Sequence, residues 1–223
     1  MKFNKRKVFA VALAVCLIAT LSLGTLAWFS AADEVKNDFL VADSDDNTAD
    51  KIFSIDVWEQ RDTNGDGDFN EADDKDYANG LKYEDILPGD ELSKVAHVKN
   101  TGHYDQYVRV IVTISDATAW INAVGKEFVI EDMFEGYDPS MWMQIDKEIE
   151  NDTVTYVLYA AETLESGEDI VLFNAVKIPE SLTQAQAAAF KGGFSIDIKA
   201  QAVQTKNVGA NAVEAFEKVG MGY

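Results

Sequence analysis

Apolar and polar positions alternate along much of this chain with a period of two. Residues 52–58, Ile52-Phe53-Ser54-Ile55-Asp56-Val57-Trp58, alternate loosely and predict a strand. Residues 92–98 predict another. Residues 106–114, QYVRVIVTI, form the strongest β segment. Tyr107, Val108, Val110, Ile111, Val112 and Ile114 are aromatic or β-branched and suit a pleated surface. Residues 142–145 and 153–159 predict a hairpin turning near Glu150-Asn151-Asp152, and residues 170–178 and 194–200 predict two further strands.

The period changes in two places. Residues 181–190, SLTQAQAAAF, predict a helix that Ser181 caps and Gly192-Gly193 stop. Residues 208–219 predict a short C-terminal helix with Val213, Phe216 and Val219 on one stripe. Residues 115–140 fit a short helix or a long loop, and Leu87-Pro88-Gly89-Asp90 is a turn signal. Seven or eight short strands, two or three short helices and few prolines predict a mainly β protein, an antiparallel β-sandwich with short helical insertions. A chain of 223 residues with no internal repeat and no Gly/Ser linker fits one such domain.

The N-terminus follows a different logic. Lys2, Lys5, Arg6 and Lys7 form a positive region, and no charge occurs from Val8 to Phe29. Thr25-Leu26-Ala27 places small residues where a signal peptidase cuts, so residues 1–27 read as a signal peptide. An uncleaved transmembrane anchor is the alternative, since 22 uncharged residues just span a bilayer. Leu13-Ala14-Val15-Cys16 loosely resembles a lipoprotein box, with Val15 large for that place. Residues 28–50 read as a mobile N-terminal segment with an apolar island at Phe39-Leu40-Val41. Residues 51–206 read as the sandwich, with an acidic loop at 61–80, and residues 207–223 as a tail.

Charge narrows the function. With 19 basic and 39 acidic residues the net charge is −20, which argues against nucleic acid and anionic membrane surfaces as partners. The membrane is then met only transiently, during export. Cleavage after Ala27 leaves 196 residues with 15 cations against 39 acids, a net of −24, and removes Cys16, the one cysteine. An acidic, cysteine-free exported chain fits a protein that faces the outside without disulfides.

The sharpest chemical signal is the segment Asp62-Thr63-Asn64-Gly65-Asp66-Gly67-Asp68-Phe69-Asn70-Glu71-Ala72-Asp73. Calcium takes six to eight oxygen ligands, and a twelve-residue loop supplies them from positions 1, 3, 5, 7, 9 and 12 with Gly at 6. Those positions hold Asp62, Asn64, Asp66, Asp68, Asn70 and Asp73, with Gly67 at the sharp turn. Asp73 stands where an EF-hand has Glu, so Glu71 or Asp74 could share the role; the spacing resembles dockerin-type calcium loops. The bland alternative is a solvated acidic turn, since Asp, Asn and Gly are also turn residues. The match in register favours a structural Ca2+ site.

Signals for catalysis are weak. His97 and His103 are the two histidines, and no HExxH, GxSxG or SxxK motif occurs. His97 falls in a strand pattern and reads as a face residue. Arg109 is a lone cation in an apolar strand and reads as pairing with a cross-strand carboxylate. Trp28, Trp58, Trp120 and Trp142 read as core or near-core residues.

Several short motifs together resemble a known family. Gly24-Thr25-Leu26-Ala27-Trp28-Phe29-Ser30 with Asn37-Asp38-Phe39 resembles the export signal and mature start of TasA/camelysin-like secreted proteins, which a SipW-type signal peptidase processes in Gram-positive bacteria. Leu87-Pro88-Gly89-Asp90, Val98-Lys99-Asn100-Thr101-Gly102 and Tyr107-Val108-Arg109-Val110 are similar to that family's strand–turn–strand core. Phe194-Ser195-Ile196 and Ala200-Gln201-Ala202-Val203-Gln204 resemble its BsaA-like biofilm matrix branch.

The resemblance implies a jelly-roll-like sandwich secreted to the extracellular matrix or cell surface. It implies fibres grown by donor-strand exchange with copies of itself or related matrix subunits. Residues 28–41 would be the donor. The calcium loop would be an insertion into that fold. The reading is a non-enzymatic structural subunit with no catalytic residues. The alternative is a monomeric calcium-binding surface adhesion or accessory module. A secreted metallopeptidase, the label camelysin-like relatives carry, is a third reading for which the chain offers no zinc motif.

Overall fold

A computed structural model describes residues 30–35, 54–63, 74–76, 83, 86–124, 129–183 and 194–221. Among them are ten strands: β1 (Ser30–Val35), β2 (Ile55–Arg61), β3 (Asp74–Asp76), β4 (Glu91–Asn100), β5 (Gln106–Ile114), β6 (Phe134–Glu135), β7 (Trp142–Glu150), β8 (Thr153–Ala160), β9 (Asp169–Lys177) and β10 (Ile196–Gln204). Three helices accompany them: α1 (Ala117–Val124), α2 (Ile130–Met133) and α3 (Ala212–Val219). The strands form two antiparallel sheets. Sheet A has the order β1-β10-β5-β8-β7 and sheet B the order β3-β2-β4-β9-β6. The antiparallel β-sandwich expected from the sequence is the architecture found.

Period-two patterning explains the layers. Ile55 and Val57 of β2, Ala96 and Val98 of β4, Val108, Val110, Val112 and Ile114 of β5, and Ile198, Ala200 and Ala202 of β10 join one buried cluster between the sheets. Burying such side chains stabilises by about 25 cal/mol per Å² of apolar surface, which drives the two faces together. Trp142 of β7 is fully buried, and its indole Nε1 donates to the Val171 carbonyl of β9 at 2.9 Å. One side chain therefore fills core volume and bonds one sheet to the other. The β7–β8 hairpin turns at Asn151 and Asp152, with φ of 51° and 66°. Both are residues that tolerate the left-handed conformation a tight hairpin needs.

β5 is buried on both faces because α3 covers the outer face of sheet A. Val157, Tyr159, Val203, Val208, Ala212, Ala215 and Phe216 form a second cluster there. Local chemistry fixes the helix at both ends. The Asn211 side chain accepts from the Glu214 backbone N–H, and the Glu214 carboxylate accepts from the Ala210 N–H, each at 3.0 Å. Gly220, at φ 67°, takes the left-handed position that ends the helix, and its N–H donates to the Phe216 and Glu217 carbonyls. The chain then leaves with the Met221 carbonyl 2.8 Å from Arg109 Nη2.

Arg109 differs from expectation. Where the sequence reading expects a cross-strand carboxylate, the positions opposite Arg109 hold Gln201 on β10 and Tyr159 on β8. Arg109 Nε donates to Gln201 Oε1 at 2.5 Å, and its guanidinium lies 4.4 Å from the centre of the Phe216 ring.

The edges of sheet A are unlike. β1 pairs with β10 through six consecutive positions, from Ser30↔Val203 to Val35↔Ile198. β7 pairs with β8 with a register shift between Gln144 and Asp146, so Ile145 is an extra residue, and Asp146, Lys147, Glu148 and Glu150 follow. The predicted helix at 181–190 falls largely outside the described residues, as do the signal peptide and the island at 39–41. No helix among the described residues is long and apolar enough to cross a membrane.

Replacing Trp142 with Ala removes the buried ring and its inter-sheet bond. A loss of about 3–5 kcal/mol is expected, read as a lower urea midpoint with an unchanged slope.

Candidate functional site

The candidate metal loop is the connection of a β-hairpin. β2 and β3 pair through Glu59↔Asp76, Gln60↔Lys75 and Arg61↔Asp74. The twelve residues 62–73 therefore connect Arg61 and Asp74, which are paired in one antiparallel ladder. Asp62 leaves the strand directly after Arg61, and its N–H donates to Ser93 Oγ of β4 at 2.9 Å. The other predicted ligands, Asn64, Asp66, Asp68, Asn70 and Asp73, lie outside the described residues. Among the described residues no group of three or more His, Cys, Asp or Glu could hold a metal ion.

The strand from which the loop departs carries a buried charge. Glu59 occupies an inward position of β2 and is 1% exposed; Lys94 of β4 is 5% exposed, and the two form a buried ion pair. A register shift in the β4–β9 pairing between Ser93 and Ala96 marks a bulge at this point of β4. Ser93 is doubly used, since its carbonyl also accepts from the Tyr83 hydroxyl at 2.5 Å. Burial, and next the nearby Glu59 charge, push the Tyr83 phenol well above its ordinary range; Arg61, whose guanidinium is 5.8 Å from the Tyr83 ring centre, acts the other way. The start of the loop thus stands on an ion pair, a bulge and a phenol–carbonyl bond.

The sequence reading missed this ion pair. Its signal was present: Glu59 and Lys94 fall in the apolar phase of two alternating strands, which implies that each needs a buried partner.

A second cluster lies on the outer face of sheet B. Trp58 and His97 are cross-strand neighbours, and their rings stack with centroids 3.7 Å apart and 13° between planes. Asp169 of β9 holds both rings. Its Oδ1 lies 3.0 Å from His97 Nδ1, and its Oδ2 accepts from Trp58 Nε1 at 3.2 Å. His97 is thus a face residue, as its strand pattern suggests, while Trp58 lies on the outer face instead of in the core.

The other end of the sandwich is tied by Asn100, which is fully buried. Its Nδ2 donates to the Tyr104 and Leu164 carbonyls, both at 2.9 Å, and its Oδ1 accepts from the Gly102 N–H at 2.9 Å. Comparison with family models, with curated proteins and with solved structures returns no match for this chain.

Two outcomes follow from the buried pair and the phenol. Lys94→Met strands a buried carboxylate and is expected to cost about 3–5 kcal/mol, whereas Glu59→Leu with Lys94→Met restores most of it. Urea denaturation of the three proteins checks this. Because the folded state holds the Tyr83 proton more tightly, its contribution to stability is complete below about pH 10, the ordinary phenol value, and is lost as pH rises further. A Tyr83→Phe chain should show a shallower loss of stability between pH 10 and 12.

Proposed function

We propose that this chain is a secreted structural subunit of extracellular matrix or cell-surface fibres. Its place is the TasA/camelysin-like group, in the BsaA-like branch. The observation that supports this reading best is β1. Ser30–Val35 adds to the margin of β10 through backbone pairing, at the edge of a sheet. Residues 36–54 separate it from β2 along the sequence, a length of chain that could span at most about 65 Å. A strand bound by main-chain ladder bonds, with that much sequence before the next strand, can be given to a neighbouring copy in the same register. Head-to-tail exchange of this kind does not close, so it builds a filament.

In this proposal a SipW-type peptidase frees the chain at Trp28, and calcium in the 62–73 loop stabilises the subunit. The hairpin frame supports the calcium assignment, because Arg61↔Asp74 already holds the loop ends together. The chain acts by assembly and not by catalysis.

A second reading rests on the same pairing. β1 here completes its own sheet, which suits a self-contained monomer serving as a calcium-binding surface adhesion or accessory module.

Electron microscopy of the chain beginning at Trp28 tests the proposal. Fibres are expected, and removal of residues 28–41 should abolish them while the sandwich stays folded by circular dichroism. Persistent monomers of the intact chain, or fibres from the truncated one, would count against strand exchange. Calcium at a hundredfold excess over its Kd should stabilise the subunit by about 2.7 kcal/mol, roughly 5–10 °C in Tm. Asp62→Ala with Asp66→Ala should remove that shift in a thermal scan. An unchanged Tm in millimolar calcium would sink the metal assignment.

A further inference from the structure

We propose that Lys94 and Glu59 join after folding, through an amide between Lys94 Nζ and Glu59 Cδ. The bond needs neither fibre assembly nor calcium.

Two paired strands place the reactants. Glu59 stands opposite Ala96 in the β2–β4 ladder. Lys94 lies two residues from Ala96, so Lys94 and Glu59 are diagonal neighbours on one face. Lys94 Nζ contacts Glu59 Oε1, and the two side chains are 6% and 1% exposed. The Lys177–Glu135 pair, by contrast, is 35% and 53% exposed. The Tyr83 phenol gives a second sign that this carboxylate is poorly solvated. Burial is the main cause that raises Tyr83, and the Glu59 charge is the next. An amine and a carboxyl group are thus held in contact where water scarcely reaches.

The step requires no co-reactant, because an ammonium and a carboxylate together hold the atoms of one amide and one water. One proton passes from Nζ to the carboxylate, leaving a neutral amine and a carboxylic acid. The Nζ lone pair attacks Cδ. A second proton follows to the departing oxygen, the C–O bond breaks, and water leaves. The amide keeps the third hydrogen. In water the charged pair is favoured and such condensation stalls. In the interior, two desolvated charges are costly to keep, and a neutral amide removes both. Attachment to paired strands makes the reaction intramolecular, which raises the effective concentration of the amine by orders of magnitude. The ion pair is the reactant state, and the amide is its product. The product ties β2, which leads into the 62–73 loop, to β4, the central strand of sheet B.

Mass spectrometry of the folded chain, sampled over days of incubation, tests the proposal. A species lighter by one water, about 18 Da, should accumulate. Trypsin does not cut at an acylated lysine, so residues 83–99 should stay whole and appear joined to residues 52–61, which carry Glu59. Incubation in urea should halt the accumulation, because the strands no longer hold the groups together. Lys94→Arg keeps the charge and lacks the amine; it should show no joined peptide and a lower Tm than the incubated wild type. The joined peptide in wild type decides the matter even if Lys94→Arg fails to fold. A folded wild-type chain that keeps its full mass would overturn the proposal. So would a lost water that maps to another peptide, such as a cyclic imide at Asp66-Gly67, with 52–61 and 83–94 released separately.

Discussion

The pairing of β5 with β10 is the contact on which the other parts of this molecule rest. Nine consecutive positions, from Ile114↔Ile196 to Gln106↔Gln204, run without a bulge. Inward, the two strands give the core Val108, Val110, Val112, Ile198, Ala200 and Ala202. Outward, they set Arg109 beside Gln201, where the Met221 carbonyl and the Phe216 ring close over the guanidinium. The other margin of β10 is filled by β1. A guanidinium in such a place must keep its donors satisfied, because an unmet buried charge costs several kcal/mol. Arg109 thus couples the docking of the C-terminal helix to the integrity of the central ladder.

Elsewhere two polar sets enter the interior with their partners in place. Asn100 uses both amide hydrogens and its oxygen on three backbone groups of two loops. Glu59 and Lys94 neutralise each other between β2 and β4. Such sets add little net stability compared with an apolar core, but they penalise every arrangement that leaves one member unpaired. In a sandwich whose strands are rich in interchangeable Val, Ile and Ala, that penalty helps select one register.

Much of the fold was legible because side-chain period and turn chemistry are local. QYVRVIVTI declared β5, Asn151-Asp152 declared the hairpin, and the stripe Val213, Phe216 and Val219 declared α3, although its start at Ala212 lies four residues after the expected one. The layer order was not legible, because it depends on which strands meet across tens of residues. The same limit applies to the sites. The twelve-residue acidic loop could be read from spacing alone, yet its closure by Arg61↔Asp74 appears only in the ladder. The partners of Arg109 were missed because cross-strand neighbours are set by register. Trp58, His97 and Asp169 come from three strands, and Asp169 is 72 positions from His97, so nothing in their spacing links them.

The two margins of sheet A carry one more meaning. Along β10 the ladder is even and accepts a strand over six positions. Along β7 the extra residue Ile145 and the charges after it break the rhythm that a new strand would need. A sheet that ends in an evenly paired strand at one margin and in a bulged, charged strand at the other has a heading. Any line of subunits joined through it would have two different ends, and lateral fusion of neighbouring lines into broader sheets would be discouraged by the shape of a single strand.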